Sequence, residues 1–107
     1  FLRKVEKAKA MRGFRLITLL VPCLDGWGVP EDQGVALTRL AVQTGVFPLY
    51  EVEDGYRITL NDPRKSRPVR EYLEVQRRYR GLDEGAVQTL QREVDEGWAQ
   101  LVGKAGV

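Results

Sequence analysis

Apolar residues follow two rhythms along this chain, and the switches between them mark its elements. In residues 1–12, "FLRKVEKAKAMR", Leu2, Val5, Ala8 and Met11 or Arg12 recur at helical steps with lysines on the other face. Gly13 supplies a stop. Residues 14–21, "FRLITLLV", are β-branched and nearly all apolar. That pattern predicts a strand buried on both faces, as in a parallel sheet. "PCLDGWGVPED" follows and reads as a loop. A helix fits 31–44, with Val35, Leu37, Leu40 and Ala41 inward and Gly45 closing it. "FPLYEVEDGYRITLN", 47–61, predicts two strands around Asp54-Gly55, a hairpin signal. Pro68 then sits in the first turn of a helix whose inner face carries Val69, Tyr72, Leu73, Gln76 and Tyr79. A last helix, about 83–103, carries Leu82, Ala86, Val87, Leu90, Val94, Trp98, Leu101 and Val102 at steps of three and four.

The predicted order is helix, strand, helix, hairpin, helix, helix. It holds a single core strand. A strand apolar on both faces needs parallel neighbours and helices on both sides, which this chain does not supply. The pattern therefore predicts the end of an α/β domain over 1–60 and a C-terminal helical extension over 61–107, completed by other residues or another chain. The chain opens at Phe1, without a methionine, on what reads as mid-domain helix. This adds to the expectation of a piece of a longer chain.

Composition narrows the functions. The 107 residues suffice for one modest domain, 43% are hydrophobic and 30% charged, and 17 basic against 15 acidic residues leave +2. That balance is too even to argue for nucleic acid. No apolar run approaches the ~20 residues of a membrane span, so neither nucleic acid nor membrane is expected as a partner. There is no histidine. This removes the commonest general base, the Ser-His and Cys-His pairs and most zinc sites. One cysteine fits a reducing cytoplasm.

That cysteine, Cys23, stands in "LLVPCLDGWG" at the carboxyl end of the predicted strand, where ligands gather in open α/β sheets. Pro22 offers no N–H and ends strand pairing. Gly26 and Gly28 permit a tight path and close approach of a bulky inorganic or phosphate group. Iron–sulfur clusters take thiolate ligands and a shielding apolar neighbour, a part open to Trp27. The alternative is a cysteine that is simply a small buried side chain.

"VPCLDGWG", then "LTRLAVQTGVFPLYEVEDG", then "RPVREYLEVQRRYRGL" resemble, in order and spacing, the C-terminal part of the β subunit of 2-oxoacid:ferredoxin oxidoreductases, the pyruvate branch (pyruvate synthase) most closely. The resemblance runs from about Phe1 to Leu82. It implies the C-terminal portion of a thiamine-diphosphate-binding three-layer α/β/α domain. It also implies an enzyme that decarboxylates a 2-oxoacid oxidatively to an acyl-CoA and passes electrons through a [4Fe–4S] cluster to ferredoxin. Thiamine diphosphate and Mg2+ would be held by the missing part of the subunit. The resemblance makes Cys23 one of four cluster ligands and places Gly26, Trp27 and Gly28 near the cluster. The remaining part of the β subunit, other oxidoreductase subunits, ferredoxin, a 2-oxoacid and coenzyme A are the implied partners. Two departures stand out. The family's Gly-Asp-Gly…Asn motif and its other three cysteines are absent, and Leu24 and Asp25 occupy positions where the family usually has proline and threonine or a similar pair. Asp25 would put negative charge near a thiolate-rich site.

The run Arg64, Lys65, Arg67, Arg70, Arg77, Arg78, Arg80 reads either as a solvated helix face or as a docking surface for an acidic partner. The whole chain can also be read as a small α/β interaction module with a structural cysteine.

Overall fold

The computed structural model describes residues 1–106. Helix α1 covers Leu2–Ala10, α2 Leu24–Trp27, α3 Gly34–Gln43, strand β1 Tyr50–Glu53, β2 Arg57–Leu60, α4 Val69–Glu74 and α5 Glu84–Ala105, with short 3-10 turns at Glu31–Gln33 and Arg77–Tyr79. The chain is α/β, and among the described residues its sheet is the antiparallel pair β1-β2. None of the helices is long and apolar enough to cross a membrane.

The core forms where α3 meets α4. Leu37 and Ala41, one turn apart on α3, pack with Val69, Tyr72 and Leu73 of α4 and with Val29. Val87, Leu90 and Val94 of α5 close the cluster on one side, and Leu20, Leu24 and Trp27 close it on another. Segment 40–47 explains the end of α3. A helix leaves its last four carbonyls unpaired. Here the Thr44 hydroxyl donates to the Leu40 carbonyl at 2.7 Å. The Phe47, Gly45 and Ser66 N–H groups reach the carbonyls of Ala41, Val42 and Gln43 at 2.9, 3.1 and 2.9 Å. Gly45 is buried at φ 85°, a conformation that favours glycine.

The hairpin forms as the sequence predicts. Register runs from Tyr50 opposite Leu60 to Glu53 opposite Arg57. Asp54 and Gly55 both take positive φ, 56° and 80°, and the Tyr56 N–H returns to the Glu53 carbonyl at 3.2 Å. The lysines of α1, placed by periodicity on a face away from its packing side, dock that helix instead. Lys7 Nζ lies 2.7 Å from Glu51 and 2.6 Å from Glu53, and Lys4 Nζ donates to Asn61 at 2.6 Å. None of the α1 residues is fully buried, though Val5 and Ala8 are half-buried on the expected apolar face, so charge and a partly covered apolar face together hold this helix.

Residues 14–21 depart most from expectation. They form no strand, and Phe14, Leu16 and Val21 are 90%, 76% and 73% exposed. A strand exists only against a ladder partner, and the paired strands here are committed to each other. The resemblance implies only the C-terminal portion of a three-layer domain, and the described residues by themselves hold no parallel sheet. A radius of gyration of 15.6 Å exceeds the about 13 Å of a closed domain of this length.

Three smaller corrections concern helices. Val35, expected inward, is 67% exposed, because the inner face of α3 is set by Leu37 and Ala41. The helix after Pro68 stops at Glu74 rather than running through Tyr79. Gln76 is extended at φ −109°, ψ 114°, and its amide donates to the Tyr72 carbonyl at 2.8 Å in place of a backbone N–H. The last helix runs two residues further than expected, from the Asp83 cap, whose carboxylate accepts from Ala86 N, to Ala105.

Candidate functional site

Cys23 follows the exposed apolar segment and opens α2. Its backbone is extended, and its carbonyl accepts from Trp27 N at 2.8 Å. The turn closes at Gly28, left-handed at φ 67°, whose N–H donates to the Asp25 carbonyl at 3.2 Å. The thiol is exposed and in no disulfide. Among the described residues nothing buries Cys23, so a purely structural role would need cover from outside them.

Each glycine of the turn answers a close approach. A Cβ on Gly26 would stand 2.9 Å from Cys23 Sγ, so glycine here leaves room beside the sulfur. A Cβ on Gly28 would overlap the Cβ of Arg77, because the Arg77 N–H donates to the Gly28 carbonyl at 3.1 Å and draws the two backbones together.

Trp27 is half-buried against the core. The Arg78 guanidinium lies 4.0 Å from the centroid of its ring and 4.6 Å from that of Tyr79. Arg78 Nε donates to Gln76 Oε1 at 2.8 Å, and Gln76 is only 2% exposed. A continuous path of contacts thus runs from α4 through Gln76 and Arg78 to Trp27 and the cysteine turn. The sequence placed Cys23, Gly26, Trp27 and Gly28 together and missed Gln76, Arg77 and Arg78, which lie half a chain away. Within a basic run, no local pattern separates a stacked arginine from a solvated one.

The run itself does not form a free basic surface over 64–70. Arg64 pairs with Asp62 at 3.0 Å, Lys65 with Asp95 at 2.5 Å, Arg67 with Glu71 at 3.4 Å and Arg70 with Glu84. These contacts hold the carboxyls of Asp62, Asp95 and Glu84 below their usual range, in each case chiefly through the hydrogen bond from the basic partner. The Glu51 carboxyl is brought to about 2, first by the hydrogen bond from Lys7 and then, against the opposing effect of burial, by Asn61 and Lys4.

Among the described residues no three His, Cys, Asp or Glu side chains converge to hold a metal. An exposed thiol with a glycine-sized space beside its sulfur fits one ligand of a larger site, not a complete one. Asp25-Gly26 lies in α2 and Asp54-Gly55 in the hairpin turn, so neither pair serves as a diphosphate-binding motif.

No family model matches the sequence. Curated relatives do. The chain is 48% identical over 97 residues, 90% of its length, to the pyruvate synthase subunit PorB of Methanocaldococcus jannaschii. It is 41% identical over 103 residues, 94% of its length, to the ketoisovalerate oxidoreductase subunit VorB of Pyrococcus furiosus, and 41% identical over 108 residues, 95%, to PorB of Thermotoga maritima. The chain is homologous to these oxidoreductase subunits. It covers 32% of the first and 33% of the other two, and the match falls in the C-terminal part of these β subunits. The chain thus spans about a third of the length of the PorB and VorB subunits it matches.

Proposed function

We propose that this chain serves as the C-terminal segment of the β subunit of a 2-oxoacid:ferredoxin oxidoreductase, with pyruvate as substrate, and that Cys23 supplies one thiolate to a [4Fe–4S] cluster. The observation that carries the reading is 48% identity over 97 residues to a pyruvate synthase subunit. The exposed thiol at the end of an unpartnered apolar segment supports it. In this reading the 14–21 segment pairs with strands supplied by the rest of the subunit, and the paired strand delivers Cys23 to the carboxyl edge of the sheet.

The residues of this chain then have separate tasks. Cys23 would ligate iron through its sulfur as the thiolate. Gly26 leaves the sulfur accessible, Gly28 turns the chain back and Trp27 shields the site from water. A [4Fe–4S] cluster, when bound, carries electrons one at a time to ferredoxin. Thiamine diphosphate, Mg2+, the 2-oxoacid and coenzyme A belong to the remainder of the subunit and its partner subunits. The single cysteine of this segment supports a reducing compartment, the cytoplasm, for the complex.

The test is Cys23→Ser in the complete complex, purified without oxygen. The expected result is loss of one cluster's iron and of its electron paramagnetic resonance signal, with pyruvate-dependent ferredoxin reduction falling by at least tenfold. Unchanged iron content with unchanged ferredoxin reduction would sink the ligand assignment. Activity with 2-oxoisovalerate in preference to pyruvate would overturn the substrate.

A further inference from the structure

We infer that Arg78 is the positioning residue of the cysteine turn. It holds Trp27, and through Trp27 the thiol of Cys23, in register with α4. The inference deepens the proposed function and rests on it only for the cluster readouts below.

Four observations converge on one arginine. Its guanidinium is stacked on two rings, Trp27 at 4.0 Å and Tyr79 at 4.6 Å. Its Nε donates to a Gln76 side chain that is 2% exposed and anchored in turn to the Tyr72 carbonyl at 2.8 Å. The residue before it is fixed to the turn through the Arg77 N–H to Gly28 carbonyl bond. Its neighbours in the run at 64–70 are all paired with carboxylates, whereas Arg78 has none among the described residues. A planar guanidinium can stack and donate in-plane from Nε at once, which a lysine ammonium cannot do. Trp27 is four residues from Cys23, joined to it by the Trp27 N–H to Cys23 carbonyl bond. A ring that tilts therefore moves the backbone that carries the thiol.

The chemistry gives a distinct signature. If Arg78 acts by geometry, Arg78→Lys behaves like Arg78→Ala; if it acts by charge, Lys restores the native behaviour. The experiment compares Arg78→Ala, Arg78→Lys and Cys23→Ser in the complete complex, purified without oxygen. It reads amide hydrogen exchange at Trp27 and Arg77, iron content, and the shape and midpoint of the cluster's electron paramagnetic resonance signal. Both Arg78 variants are expected to speed exchange at these amides by about tenfold, in the range for loss of a cation–π stack. Iron content is retained, and the resonance signal shifts in both variants alike. Exchange unchanged in both variants, or full rescue by lysine, overturns the inference, as does faster exchange spread over α5 and the hairpin. The exchange arm does not need the cluster. If Cys23→Ser keeps its iron, the ligand assignment fails while the positioning role is still decided by the amides.

Discussion

Gly28→Ala separates two costs that usually arrive together. Gly28 sits at φ 67°, and its missing Cβ faces the Cβ and backbone of Arg77. The first cost is conformational, about 1 kcal/mol for a non-glycine residue in the left-handed region. The second is steric. The overlap is with backbone-proximal atoms that a hydrogen bond pins in place, and such crowding costs about 1–3 kcal/mol. Gly55 supplies the control. It takes φ 80° with nothing within 4 Å of the added carbon, so Gly55→Ala bears the first cost alone. Gly28→Ala is therefore expected to lower the opening free energy of its own segment by about 2–4 kcal/mol, and Gly55→Ala by about 1 kcal/mol. The assay is native-state hydrogen exchange in the complete protein, read at Trp27 and Arg77 for the first variant and at Tyr56 for the second. The effect of Gly28→Ala must stay local to 23–28 and 76–79. Equal losses in the two variants would refute the reasoning, since they would mean that the approach of Gly28 to Arg77 is not a constraint.

Two further predictions test the frame around the site. The Glu51 carboxyl is lowered to about 2 from 4.5, so the docking of α1 on the hairpin is fully present above about pH 4.5 and is lost as pH falls toward 2. Lys7 is 45% exposed, so solvent screens the pair and the contribution is small. Protection of the 50–60 ladder should fall between pH 5 and 2.5 in the native protein and much less in Glu51→Gln, and equal falls would count against the ion cluster. Gln91 on α5 accepts from Val69 N at 2.8 Å, and Gln91→Ala leaves that part-buried N–H unpaired. The expected cost is about 1–3 kcal/mol, read as faster exchange at Val69 with α5 intact. No change there would mean that water replaces the side chain.

Much of the fold was written locally. Asp54-Gly55 specified the hairpin because only residues tolerant of positive φ make that turn. Leu37, Ala41, Val69, Tyr72 and Leu73 were legible as core because a helix buries what recurs at its own period. The cysteine turn was legible as a unit, since Cys23, Gly26, Trp27 and Gly28 are neighbours in sequence and the constraints on Gly26 come from Cys23 itself.

What tertiary structure decided was every contact between segments far apart in the chain. Apolar composition at 14–21 stated that the segment wants to be buried, but a strand needs a partner's carbonyls and N–H groups, and no residue pattern within 14–21 provides them. Periodicity gave α1 an apolar face, on which Val5 and Ala8 are half-buried, but only the fold set two acids of β1 against Lys7. The basic run of seven, read as a solvated face or a docking surface, became four ion pairs, one stacked arginine and two exposed ones, Arg77 and Arg80, because a charge's role depends on what lies within a few ångströms of it. A sequence fixes which groups are present and how neighbours along the chain can bend. Only the fold brings Arg78 over Trp27, and with that contact it ties the turn that presents Cys23 to the core.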